Sequence, residues 1–268
     1  MPELTAALRE QYQTLFDTLV IRPERQDDVE DLVGKIGAKR SRYESVGNPL
    51  NVPWFVVGVI HCLEASLSFK KHLHNGDSLN ARTVRVPAGL PKTGNPPFEW
   101  EFSAKDALRR RRLHQVGDWS VPSMLYQLEG YNGFGYRTKP TGIFTPYLWS
   151  FSTHYEKGKY VEDGVFDPNA VSKQCGAAVL LRRMAERKII SFDLANQPVA
   201  EPENLDAIVP LVTYDPANES DDARRLQEAL NGFPGVFVKV DGLAGKRTSD
   251  ALKRVTGHFL AGDPRGDA

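Results

Sequence analysis

The sequence predicts a mainly helical body, a short linker and a small helical unit. Three observations lead there. Apolar residues recur at helical spacing through most of the first 190 positions. Strand-like alternation is confined to one short stretch, Thr83-Val84-Arg85-Val86-Pro87. Between 188 and 217 the helical pattern is interrupted by Pro198, Pro202, Pro210 and Pro216, and it resumes after Ser220. A chain of 268 residues has room for one medium and one small domain. The body is therefore placed at 1–190, the linker at 191–218 and the small unit at 219–268.

Each element has its own signal. Leu4, Leu8, Tyr12, Leu15, Phe16 and Leu19 form one apolar stripe and predict a helix over 3–20, which Pro23 ends. A second helix, 26–43, opens on Asp27, Asp28, Glu30 and Asp31 and closes on Lys39, Arg40 and Arg42. That is the charge order a helix dipole favours. Pro53 suits the first turn of a third helix, 53–73. This is the most apolar segment, with Trp54, Phe55, Val56, Val57, Val59, Ile60, Leu63 and Leu67, so it should cross the core. His74-Asn75-Gly76-Asp77 is a turn, followed by the short strand at 83–87 and a Pro/Gly loop to Pro97. Ser103 or Asp106 opens a helix to about His114, and Pro122 opens one to about Tyr131. Pro146 begins a short aromatic segment to about Tyr155. A helix at 168–187 closes the body, and helices at 221–231 and 247–256 build the small unit.

Hydrophobic residues at 41% and charged residues at 25% describe an ordinary globular chain. Lys plus Arg equals Asp plus Glu, 34 of each, so net charge points to no nucleic acid or membrane partner. The run Arg109-Arg110-Arg111-Arg112 is read as a solvated helix face, with contact to an anionic polymer as the alternative. Cys62 and Cys175 sit in apolar stretches and read as buried free thiols, a disulfide between them being left open. No further Cys pair suggests a zinc site, and His72 and His74 lack a marked third ligand, so no metal or cofactor is expected. No apolar run approaches the roughly 20 residues of a membrane span, so no membrane insertion is expected. The N-terminus lacks the basic start and apolar run of a signal peptide. Synthesis in the cytoplasm, with any export by a non-Sec route or release by lysis, is the expectation.

Splitting a glycosidic bond needs one carboxylic acid to protonate the leaving oxygen and a second carboxylate to activate water or stabilise charge. The acid must hold its proton near neutral pH, which apolar surroundings achieve. Glu64 lies late in the most apolar helix, between Leu63 and Leu67. The alternative is a surface glutamate on an amphipathic helix. Sugar rings stack on aromatic faces, and the stretch from Tyr126 to Tyr160 is rich in aromatics set among Gly, Pro, Asn and Thr. From it Tyr131, Asn132, Tyr136 and Tyr147 are taken as cleft-lining candidates. His61 is read as a satisfied core histidine. No Gly-x-Ser-x-Gly and no His-Glu-x-x-His occurs, which argues against serine-hydrolase and zinc-amidase chemistry.

The segment Ile60-His61-Cys62-Leu63-Glu64-Ala65-Ser66-Leu67-Ser68-Phe69, followed by His74-Asn75-Gly76-Asp77, resembles the lysozyme superfamily. There the acid ends the first core helix and a small β region walls the glycan cleft. Glu64-Ala65-Ser66 resembles the Glu-Ser start of lytic transglycosylase sites, and Tyr131-Asn132-Gly133 resembles their Tyr-Asn-Ala-Gly segment without the alanine. No Gly-Leu-Met-Gln segment is present, which favours hydrolysis over the anhydro-forming reaction. The resemblance implies a second carboxylate in the turn after the acid helix, for which Asp77 is chosen. Plain turn chemistry is its alternative role, and Glu99, Glu101 and Glu129 are the other positions. Thr83 is assigned to position a water, and Arg137 and Lys139 to meet peptide-stem carboxylates.

In the small unit, Leu226-Gln227, Val240-Asp241-Gly242, Gly245, Thr248 and Ala251 are similar to the peptidoglycan-binding domain of three short helices, over about 219–257. Asp241-Gly242 and Gly245 make tight turns and Thr248 suits a helix cap. Arg254-Val255-Thr256-Gly257 departs from the usual aromatic-Gln ending. Together the resemblances imply a lysozyme-like helical domain with a small β region and a three-helix appendage. They imply a bacteriolytic, muramidase-type peptidoglycan hydrolase, with peptidoglycan or a related glycan as partner and a phage or secretion-system carrier. Chitosanase activity on another β-glycan, and a non-catalytic wall-binding role, are the alternatives.

Overall fold

The computed structural model describes residues 2–139, 141–162, 164–192, 205–230, 233 and 238–266. The chain is mainly helical with one small two-stranded sheet, and it divides into two compact units. The first is Met1–Arg22 with Asp31–Arg183, and the second is Pro23–Glu30 with Met184–Ala268.

Twelve α-helices occur among the described residues: α1 (Ala6–Asp17), α2 (Gln26–Gly37), α3 (Arg40–Gly47), α4 (Trp54–Ala65), α5 (Trp100–Arg110), α6 (Val121–Asn132), α7 (Gly135–Thr138), α8 (Pro146–Trp149), α9 (Ala177–Glu186), α10 (Leu205–Ile208), α11 (Asp221–Leu230) and α12 (Lys246–Thr256). Thr5 caps α1 by accepting from the Leu8 amide at 3.3 Å, and Tyr12 and Phe16 turn inward against α6. α4 is the centre of the first unit: ten of its residues, Trp54 through Ala65 apart from Phe55 and Glu64, are buried. It packs on α3. No single helix among the described residues is long and apolar enough to cross a membrane.

Several expected elements are redrawn. The helix expected over 26–43 breaks into α2 and α3. The one expected over 53–73 stops at Ala65, because Ser66 and Leu67 turn left-handed at φ 50° and 58°. Their amides close on the carbonyls of Cys62 and His61, satisfying the helix end. Glu64 thus sits in the last turn. The strand expected over 83–87 does not form. The amides of Val84 and Arg85 are taken by the Asp77 carboxylate, at 2.8 and 3.0 Å, which leaves no ladder for a partner strand. The sheet lies elsewhere: β1 (Lys159–Glu162) and β2 (Val165–Asp167) pair antiparallel, with Tyr160 opposite Phe166 and a bulge between Tyr160 and Glu162. Cys62 and Cys175 are buried free thiols.

In the second unit, part of the expected linker is structure. Residues 193–204 lie outside the described set, but α10 follows at once, and Ile208 and Val212 join the core formed by Ala223, Leu226, Leu230 and Leu252. Thr213 bridges Ala261 and Asp215 bridges Ala244. Within 219–268 the described residues hold two helices, and the third comes from α10, before the expected boundary. Gln227 organises this core. Its Nε2 donates to Asp241 Oδ1, Leu243 O and Thr248 Oγ1, and its Oε1 accepts from the amides of Asp241 and Gly242. Of the residues that carry the sequence resemblance, Gln227, Asp241, Gly242 and Thr248 are joined in one hydrogen-bond network.

Candidate active site

Glu64 leaves the last turn of α4 with its side chain only partly exposed. Tyr147, in the single turn of α8, donates its hydroxyl to Glu64 Oε1 at 2.7 Å. Thr145 fixes that turn by accepting from the Tyr147 amide at 3.3 Å. Burial lifts the Glu64 carboxyl to about 7, and the Tyr147 hydrogen bond and the Arg111 charge only partly oppose it. Tyr131, buried on α6, lies within electrostatic reach of Glu64 and donates its hydroxyl to the Leu73 carbonyl at 2.8 Å. The Arg111 guanidinium stacks 4.7 Å from the centre of the Tyr131 ring. Gln174 donates to the Leu63 carbonyl, one residue before the acid.

Tyr147 also lines a cleft of about 380 Å³, with Asn132, Tyr136, Lys139, Lys159, Glu162 and Gln174 among its walls. Of the expected residues, Asn132, Tyr136 and Tyr147 line this cleft, Tyr131 is within electrostatic reach of Glu64, and Tyr147 is the link between Glu64 and the cleft. A larger cavity of about 630 Å³ shares Tyr136 and is lined by Glu129, Arg137, Thr145, His154 and Tyr155.

The turn that carries Asp77 packs against the backbone at the end of α4. Gly76 adopts φ +75°, and a Cβ there would meet the Glu64 carbonyl at 2.5 Å. The Asp77 side chain is nearly buried. Its Oδ2 accepts from Val84 N, Arg85 N and Asn75 Nδ2, and its Oδ1 accepts from Arg85 Nε at 2.6 Å. Its burial would raise the pKa, but the hydrogen bonds from Arg85 and Val84 outweigh it and hold the group down at about 2. Asp77 is therefore ionised and anchors the following loop.

Two other expected residues have internal duties. Thr83 is buried; its hydroxyl donates to the Pro87 carbonyl at 2.6 Å and accepts from the Leu90 amide at 3.0 Å, so it closes its own loop. Arg137 holds the buried Glu129 with Nε 2.8 Å from Oε1, donates to Gln11 at 2.7 Å and lies 4.7 Å from the Tyr12 ring centre. Tyr12 donates to the other Glu129 oxygen at 2.7 Å. Glu101 pairs with Arg42 at 2.6 Å, and Glu99 precedes α5 without capping it. His61 is buried with Nδ1 3.0 Å from the Tyr43 hydroxyl, and burial lowers its pKa to about 4, so it is neutral.

Sequence reasoning missed Arg111, Lys159, Glu162 and Gln174. Arg111 was hidden in a run of four like charges. The other three come from a hairpin and a loop far along the chain, with no local pattern to tie them to Glu64. Among the described residues no three His, Cys, Asp or Glu side chains are grouped to hold a metal ion. No protein family, curated protein or solved structure matches the chain.

Proposed function

We propose that the chain hydrolyses the glycan strands of peptidoglycan as a muramidase-type glycoside hydrolase, with Glu64 as general acid. One observation carries the reading: a carboxyl lifted to about 7 at the end of a core helix, hydrogen-bonded to Tyr147, which also walls a cleft with further tyrosine and amide side chains. At neutral pH about half of such groups hold a proton to give. Tyr147 engages Oε1, so Oε2 is the oxygen that carries the proton to the leaving group.

Asp77, held at about 2, supplies the ionised partner. The environments of Glu64 and Asp77 drive their pKa values apart, as an acid and a base require. Oδ2 is saturated by three donors, while among the described residues Oδ1 accepts from Arg85 alone, which leaves it room for one water proton. Glu162 is the competing second carboxylate, because it lines the cleft itself. The similarity of the second unit to peptidoglycan-binding domains supports a wall substrate over a free polysaccharide.

Purified sacculi treated with the protein should release fragments ending in reducing muramic acid, identified by mass. Anhydro ends, or no fragments, contradict the proposal. Asp77→Asn and Glu162→Gln assign the partner. The catalytic position loses about 100-fold or more in kcat, and the other does not; Asp77→Asn also lowers the melting temperature, because it weakens the acceptor of Val84 and Arg85, so both rates are measured below the variant's transition.

A further inference from the structure

We infer that the cleft walled by Tyr147, the hydrogen-bond partner of Glu64, selects glycans bearing carboxylates, through Lys139 and Lys159; this rests on the glycosidase reading above. Lys139 follows the turn of α7 and Lys159 opens β1, and both line the cleft that Tyr147 shares. The Lys139 ammonium lies 5.2 Å from the Tyr160 ring centre, which restrains it without neutralising it. Among the described residues, the lysine ion pairs involve Lys35, Lys239 and Lys246, so the two cleft ammoniums have no carboxylate partner there. Glu162 is the one acidic side chain on the described lining, so the wall is net positive. Arg111, stacked on Tyr131, is a third cation within electrostatic reach of Tyr147 on that lining.

Sequence pairs Arg137 with Lys139 for this role. The fold commits Arg137 to Glu129 and lines the cleft with Lys159 instead. A cleft of one sign with low-dielectric walls concentrates the opposite charge. The ammonium groups of chitosan are repelled there, neutral chitin is indifferent, and a wall glycan offers carboxylates. Those carboxylates sit on stem peptides, or on the lactyl groups once the peptides are removed.

The test compares wild type with the Lys139→Gln/Lys159→Gln double variant on three soluble substrates: chitohexaose, stem-bearing peptidoglycan strands and amidase-stripped strands. Both lysines lie on loop and hairpin surfaces, and a melting curve accompanies the kinetics. The expected result is a loss of about tenfold in the KM preference for an anionic strand over chitohexaose. The same loss is expected for wild type in high salt. The strand that responds identifies the carboxylate as stem or lactyl. Glycosidase activity with an unchanged preference overturns this inference alone. No glycosidase activity in wild type overturns the reading of Glu64 and this inference with it.

Discussion

Glu64 titrates at about 7 because protein surrounds its carboxyl, and the same exclusion of water weakens the native state wherever that carboxyl is charged. Below its ordinary value of 4.5 both native and unfolded chains carry the proton, and the group costs nothing. Between 4.5 and about 7 the unfolded chain gives the proton up while the native chain keeps it, so stability falls with rising pH. Above about 7 the full cost, on the order of 3–4 kcal/mol, is present. Glu64→Gln keeps the shape and the acceptor for Tyr147 while removing the charge. It should therefore raise the melting temperature at pH 8 and leave it unchanged at pH 4; an unchanged value at both would remove the buried acid from the account. Asp77 has the opposite sign, held at about 2 by its donors. Its stabilisation is present at neutral pH and is lost as pH falls from its ordinary value of 3.8 toward 2.

At the scale of the element, α8 is one turn long, yet it aims Tyr147 at the acid. Its position is set by Gly176, where a Cβ would lie 2.2 Å from the Leu148 carbonyl. Gly176→Ala should displace α8, lowering both melting temperature and activity. Gly34→Ala in α2, where a Cβ meets nothing within 4 Å, is the matched control and should be neutral or slightly stabilising. Calorimetry and turnover on the same samples check both. The central helix and its acid were legible in sequence because Trp54 to Leu63 is apolar on every face. Its end was not, since Ser66 and Leu67 turn left-handed without a glycine to announce it. The alternation at 83–87 predicted a strand, but a side chain outside the window, Asp77, had claimed the amides. The true hairpin is only a few residues long on each side, too short for periodicity to separate it from loop.

At the scale of the molecule, each unit has a core with its own logic. In the second, Gln227 is buried and makes five hydrogen bonds to Asp241, Gly242, Leu243 and Thr248. Gln227→Ala leaves those groups unpaired and should cost on the order of 2–4 kcal/mol. Limited proteolysis should then cut the second unit while the first stays intact; loss of both together would contradict their separation. The pattern Gln, Asp-Gly and Thr was visible in sequence because the network is local. The candidate cleft was legible only in part, since Tyr147 reaches Glu64, and Gln174 reaches the Leu63 carbonyl, across 83 and 111 residues of chain.

The central claim is that Glu64 donates the proton in glycan cleavage, and the most direct measurement is clearing of purified sacculi by wild type and Glu64→Gln at pH 6. The account predicts clearing by wild type and a loss of about 10²–10⁴ in rate for the variant, with its fold retained. Clearing by Glu64→Gln at the wild-type rate would contradict it.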